Sequence, residues 1–127
     1  MLILTLGYVL LIAYMSLSAK PPGVESGDRH VPYFTYVTHA GMYFVLSWLL
    51  YFTLELTYPV KGNMEYWAAT ISFAYGGFLE VLQYYTPTRN FSFLDILMNG
   101  MGCILFLLLL LMVKKIRNLL IDPGFSP

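Results

Sequence analysis

The chain has 127 residues, and its seven basic and seven acidic side chains give a formal net charge of zero. Apolar residues make up 58% and charged residues 11%, well below the roughly 25% charged residues of soluble domains. No basic surplus is present to attract nucleic acid, so we expect no nucleic-acid partner. The composition instead indicates a protein that is surrounded by lipid.

Four apolar segments of about 20 residues follow one another along the chain. Each is close to the roughly 20 residues that a helix needs to cross the hydrocarbon core of a bilayer. We therefore predict an all-α, polytopic membrane protein that forms a single domain over residues 1–127. Its bundle of four transmembrane helices is expected at approximately 2–19, 33–56, 66–86 and 93–113.

The first apolar segment also has one feature of a secretory signal peptide. Ser16, Leu17 and Ser18 resemble a small-x-small cleavage site, but no positively charged region precedes the segment. We expect this helix to be retained in the membrane. Cleavage would leave three spans.

The distribution of basic residues predicts the orientation. Four basic side chains lie on one side of a four-span arrangement and three on the other. The first side has Lys61, Lys114, Lys115 and Arg117; the second has Lys20, Arg29 and Arg89. Because positive charge favours the cytoplasmic side, we predict that both termini are cytoplasmic in a cell membrane. The loops at 20–32 and 86–92 would then face outward.

Two predicted helices each carry a stripe of small and polar residues at spacings of three and four. In the third segment the stripe is Ala69, Ser72, Gly76, Glu80 and Gln83. In the fourth segment it is Ser92, Asp95, Asn99 and Gly102. This spacing places each set on one helix face. Because a short connection makes the two helices antiparallel neighbours, the stripes can meet at matching depth.

Ionisable side chains inside a membrane cost about 2.5–3.5 kcal/mol each on insertion scales, so they usually face the protein interior and have partners. His39 lies one to two turns inside the second segment, and Arg89 lies in the connection between the third and fourth. We therefore predict one polar site near the outer membrane face. Its residues are His39, Glu80, Gln83, Arg89, Asp95 and Asn99.

Structural explanations remain open for several of these residues. Ser92 and Asp95 fit a capping box at the start of the fourth helix. Glu80 and Arg89 could form a purely structural ion pair, and Gln83 and Asn99 could join helices by hydrogen bonds. No short-range spacing of metal ligands is present, so we expect neither a metal nor a cofactor.

The order of these residues resembles the core motif of the VanZ-like family. That motif is E-x-x-Q, then R, then S-x-x-D-x-x-x-N-x-x-G. It is matched here by Glu80, Gln83, Arg89, Ser92, Asp95, Asn99 and Gly102. The family also has a histidine early in the second span, and His39 fits that position. Thr35 and Tyr36 stand where the family usually has Asp and Lys, which weakens any role that needs a charge pair beside His39.

The resemblance implies a small envelope protein of a bacterial or related inner membrane, in a family whose founding member is linked to low-level teicoplanin resistance. One hypothesis is that the site binds a membrane lipid or a lipid-linked cell-wall precursor at the outer leaflet, with Arg89 on a phosphate or carboxylate. A second is a membrane enzyme with Glu80 or His39 as general base. A third is a structural or partner-binding protein. Whether the chain is an enzyme, and its oligomeric state, remain open.

Overall fold

The computed structural model describes residues 1–18, 32–58, 62–86 and 91–121, with backbone only for residues 32–34. All statements about structure concern these residues. They form four helices, which confirms the predicted all-α fold: α1 Leu2–Leu17, α2 Pro32–Thr57, α3 Met64–Tyr84 and α4 Phe93–Ile121. The fourth helix continues eight residues beyond the predicted end at 113. The added turns contain lysine, arginine and leucine, which are strong helix formers.

Two of the four helices are long and apolar enough to cross a membrane by length and composition. They are residues 35–57 of α2 and the whole of α4. The first helix, α1, is also apolar but has only 16 residues. In α3 the buried stripe includes Ser72, Glu80 and Gln83, and these polar side chains lower the hydropathy of the helix. Four membrane spans therefore remain a prediction.

The surface of the helices is strongly apolar. Large side chains such as Ile3, Leu10 and Leu108 are more than half exposed. A monomeric soluble protein rarely exposes such continuous apolar surface, whereas lipid is a favourable solvent for it. Several polar side chains, in contrast, are buried between the helices, among them Ser72, Glu80 and Asn99.

The core of the bundle lies between α2, α3 and α4. Tyr43, Leu46 and Phe106 are almost completely buried there. Trp48 packs edge-on against Phe106, with 5.1 Å between the ring centroids. At the end of the bundle near this aromatic cluster, Lys114 Nζ lies 3.0 Å from Glu65 Oε2, which joins α4 to the start of α3.

Helix α1 lies against α2 and α3 and is held by polar contacts along its length. The hydroxyls of Thr5 and Thr53 are 2.7 Å apart, and the hydroxyl of Tyr75 donates to the carbonyl of Val9 at 2.7 Å. These bonds join α1 to its two neighbours in the absence of a strong hydrophobic driving force between helices in lipid.

Helices α2 and α4 approach each other closely at Gly102 of α4. A Cβ atom added to Gly102 would overlap the carbonyl oxygen of Ala40 and lie 2.9 Å from the backbone nitrogen of Phe44. Both of these atoms belong to the backbone of α2, so no side-chain rotation could make room. Glycine at position 102 therefore sets the distance between α2 and α4.

We expect Gly102→Ala to destabilise the protein by about 1–3 kcal/mol, as overpacking of a tight core does, because α2 and α4 must move apart. The measurement is the free energy of unfolding of purified protein in detergent. The matched control is Gly77→Ala, since an added Cβ there has nothing within 4 Å. The control should be neutral or more stable by about 0.5–1 kcal/mol. Equal stability of the two variants would contradict the close approach.

Candidate functional site

Three ionisable side chains from three helices converge at the end of the bundle where α2 and α4 begin and α3 ends. They are His39 of α2, Glu80 of α3 and Asp95 of α4. One nitrogen or oxygen atom from each of them lies within 4.8 Å of the others. We call His39, Glu80, Asp95 and the adjoining Asn99 the polar cluster. The structure thus brings together four of the six residues predicted for the site.

Asn99 is the hydrogen-bond partner of the His39 ring. The His39 Nδ1 atom is 2.9 Å from the Asn99 Oδ1 atom. Because an amide oxygen can only accept a hydrogen bond, the Nδ1–H of His39 is the donor in this contact. In the neutral ring, Nε2 then has a free lone pair. This atom is 3.9 Å from Asp95 Oδ2.

The start of α4 is capped by Ser92, as the sequence predicted. The backbone N–H of Asp95 donates to Ser92 Oγ at 3.2 Å. In a capping box the backbone N–H of Ser92 would bond to the Asp95 side chain. Here that N–H donates to Glu80 Oε2 of α3 at 3.4 Å. Glu80 therefore contributes to the capping of α4, and the Asp95 carboxylate lies beside His39.

The four side chains of the polar cluster differ in their access to the surroundings. Glu80 and Asn99 are each only 1% exposed. The side chains of His39 and Asp95 are 14% and 16% exposed. Glu80 and Asn99 therefore form the buried part of the cluster, and His39 and Asp95 form its partly exposed rim.

Gln83 and Arg89 are the two predicted site residues outside the polar cluster. Gln83 is buried, and its Nε2 atom donates to the carbonyl of Ser16 in α1 at 3.0 Å. This is the type of interhelical hydrogen bond that remained an alternative for Gln83. Arg89 lies outside the described residues, so its bridge to Glu80 and its contact with a ligand stay predictions.

Two residues outside the predicted site shape the buried part of the cluster: Gly76, which belongs to the predicted stripe of the third segment, and Tyr43, which was not predicted. A Cβ atom added to Gly76 would lie 2.8 Å from Tyr43 Cε1 and 2.9 Å from Asn99 Nδ2. Gly76 thus allows Tyr43 and Asn99 to pack against the backbone of α3. The spacing of four residues between His39 and Tyr43 was the available signal, since it places both on one face of α2.

The polar cluster is rich in hydrogen-bond acceptors. Two carboxylates and an imidazole with a free lone pair can accept protons, bind hydroxyl, amide or ammonium groups, or ligate a cation. A bare phosphate would be repelled by the carboxylates. Within the described residues, Asn99 Nδ2 is also a buried donor without a hydrogen-bond partner.

We expect nuclear magnetic resonance of protein with ¹⁵N-labelled histidine to show neutral His39 protonated at Nδ1. The reason is the bond to Asn99 Oδ1. The chain has only two histidines, so His30→Gln removes the second signal. In Asn99→Leu the preference for the Nδ1–H tautomer should weaken or change to Nε2–H, which is the usual tautomer in peptides. An Nε2–H tautomer in the unaltered protein would contradict the arrangement.

Comparison with known proteins identifies the family of this chain. No curated protein and no solved structure matches the chain. The sequence does match the family described as VanZ/LLP1 over residues 3–114. This range includes α1, α2, α3 and most of α4, and it contains every residue of the polar cluster. The apolar helices agree with a membrane location, and the chain belongs to the VanZ/LLP1 family of membrane proteins.

Proposed function

We propose that this protein binds the polar headgroup of a membrane lipid or lipid-linked cell-wall precursor at the outer leaflet. In this way it would lower the susceptibility of the cell to a teicoplanin-type glycopeptide. The observation that supports it most strongly is the convergence of His39, Glu80 and Asp95 from three separate helices, within 4.8 Å. Family membership supplies the envelope setting.

The burial of these groups argues for a role beyond packing. Removal of a carboxyl group from water is unfavourable unless its partners compensate, and apolar residues could fill the same space at lower cost. Helix association is already provided by contacts such as Gln83 with Ser16 and Lys114 with Glu65. The convergence of two carboxylates and an imidazole from three helices supports a ligand in addition to the contacts that these groups make within the protein.

The chemistry of the cluster suggests how a headgroup would be held. The partly exposed His39 and Asp95 would meet hydroxyl, amide or ammonium groups of the ligand first. Glu80, which is buried, would orient them from below. A phosphate or carboxylate of the same headgroup needs a positive partner, and we assign that role to Arg89 from its position in the connection before α4.

The membrane arrangement that goes with this function is multi-pass, with four transmembrane helices and both termini in the cytoplasm. The polar cluster would then lie near the outer leaflet, and the Lys114–Glu65 pair would lie near the inner face. The clustered positive charge of Lys114, Lys115 and Arg117 at the end of the last span supports this direction.

The test is the minimal inhibitory concentration of teicoplanin for a susceptible Gram-positive host that expresses the protein. The unaltered chain should raise it. Glu80→Gln and Asp95→Asn should each return it to the value of cells with an empty vector, because each removes a charged acceptor from the cluster. The control is Glu55→Gln, which alters an exposed carboxylate at the opposite end of α2 and should retain the effect.

Protein levels in isolated membranes must be equal for this comparison, so all variants are quantified through the same tag. The proposal fails if the unaltered chain leaves susceptibility unchanged, or if Glu80→Gln and Asp95→Asn act like the unaltered protein.

A second candidate function is a membrane enzyme with His39 as general base. The observation that favours it is the Asn99 bond, which in the neutral ring places the proton on Nδ1 and the lone pair on Nε2, beside Asp95. A base held in one tautomer by a hydrogen-bonded neighbour is a common feature of acid–base catalysts.

Purified protein in lipid nanodiscs should then convert an envelope lipid, detected by mass spectrometry of the extracted lipids. His39→Gln should abolish turnover, whereas Glu55→Gln should retain it. Binding of a lipid without any product in the unaltered protein would support the first function and exclude the second for that lipid.

A further inference from the structure

We propose that His39, Glu80 and Asp95 form a binding site for one divalent transition-metal cation of the Mn²⁺ or Zn²⁺ class. One ligand atom from each residue lies within 4.8 Å of the other two, and the three come from α2, α3 and α4. Metal-ligand spacings within one short segment of sequence cannot indicate a site whose ligands are distributed over three helices.

The donor types fit this class of cation. One imidazole nitrogen and two carboxylate oxygens form a mixed set, which suits Zn²⁺, Mn²⁺ or Fe²⁺. Three protein ligands with an open remaining position are typical of metal sites that also bind water or substrate. The partly exposed rim at His39 and Asp95 provides the path to that open position.

The proposed ligands have the hydrogen bonds that usually hold metal ligands in place. A histidine that binds a metal usually donates its other ring N–H to a carbonyl or carboxylate oxygen. Here His39 Nδ1 donates to Asn99 Oδ1 at 2.9 Å, and in the neutral ring Nε2 has the lone pair that a metal requires. Ligating carboxylates are also held by hydrogen bonds, and Glu80 Oε2 accepts one from the backbone of Ser92.

A separate observation points to a missing ligand. Asn99 is 1% exposed, and its Nδ2 atom is a buried donor with no hydrogen-bond partner within the described residues. The Oδ1 atom of the same amide contacts His39, and Nδ2 lies beside Gly76, one turn before Glu80 on α3. An unpaired buried donor is unfavourable by about 1–3 kcal/mol. A water or hydroxide on the cation would supply the acceptor that Asn99 lacks.

The three donor atoms need to move only a short distance toward one another to bind a cation. Ligand distances of about 2.0–2.2 Å in a tetrahedral site place neighbouring donor atoms roughly 3.5 Å apart. His39 Nε2 and Asp95 Oδ2 are 3.9 Å apart, and the widest separation in the set is at most 4.8 Å. Movement of the two partly exposed side chains is enough to close this difference.

This proposal does not depend on the proposed headgroup function. The cation site concerns three side chains and can be measured without a lipid ligand. If both are correct, the open coordination position gives a phosphate oxygen a favourable partner in a cluster that would otherwise repel it.

The experiment uses the full chain, purified in detergent, stripped with a chelator and titrated with Mn²⁺ alone. Free Mn²⁺ is counted by electron paramagnetic resonance, and coupling of bound Mn²⁺ to an imidazole nitrogen is recorded by electron spin echo modulation. We expect one Mn²⁺ per chain, with imidazole coupling, and displacement by Zn²⁺. His39→Gln should lose the coupling, and Asp95→Asn should weaken binding at least tenfold. Asn99→Leu should weaken it by about 10–100-fold, as loss of the residue behind a ligand does.

The control variant is Glu55→Gln, whose affinity should equal that of the unaltered chain. Thermal unfolding shows which variants are folded. If a variant does not fold, the nitrogen coupling of Mn²⁺ bound to the unaltered protein tests the metal site without it. The proposal is overturned if binding is substoichiometric or lacks nitrogen coupling, or if Glu55→Gln loses as much affinity as Asp95→Asn. Metal binding with no change in teicoplanin susceptibility would contradict the headgroup function alone.

Discussion

The polar cluster depends on the contact between the backbones of α2 and α4 at Gly102. Because Gly102 has no side chain, the carbonyl of Ala40 and the backbone nitrogen of Phe44 can lie directly against α4. His39 is next to Ala40 in sequence, and Asn99 is one turn before Gly102. The close approach therefore brings the His39 ring within hydrogen-bond distance of Asn99. With larger residues at this point, the two helices would be too far apart for this bond.

Helix α3 also packs closely against its neighbours at a glycine. Gly76 allows Tyr43 and Asn99 to pack against α3, and Glu80, one turn later, reaches the backbone of Ser92 at the start of α4. Glycine within a helix is unfavourable by about 0.5–1 kcal/mol compared with alanine. Its presence at two contact points shows that close packing around the polar side chains outweighs local helix preference. The polar cluster is thus a consequence of backbone geometry as well as of residue type.

The two ends of the bundle show two uses of a buried carboxylate. At one end Glu65 is paired with Lys114 at 3.0 Å, and the ammonium group also lies 5.4 Å from the centre of the Tyr51 ring. That contact joins α4 to the start of α3. At the other end two carboxylates share a space with an imidazole, and Asn99 leaves a buried donor unpaired within the described residues. This grouping of three ionisable side chains supports the proposal of a ligand at the second end.

The length of four apolar segments was sufficient to predict the all-α fold, and helical periodicity predicted the small and polar stripes that contain Glu80, Asp95 and Asn99. It worked because spacings of three and four fix the direction of a side chain relative to its own helix axis. Periodicity does not fix the rotation of one helix relative to its neighbours. Only the tertiary structure could decide that Gln83 bonds to α1, that Glu80 bonds to the Ser92 backbone, and that Tyr43 packs at Gly76. Those contacts depend on distances between backbones, which arise when all four helices pack together.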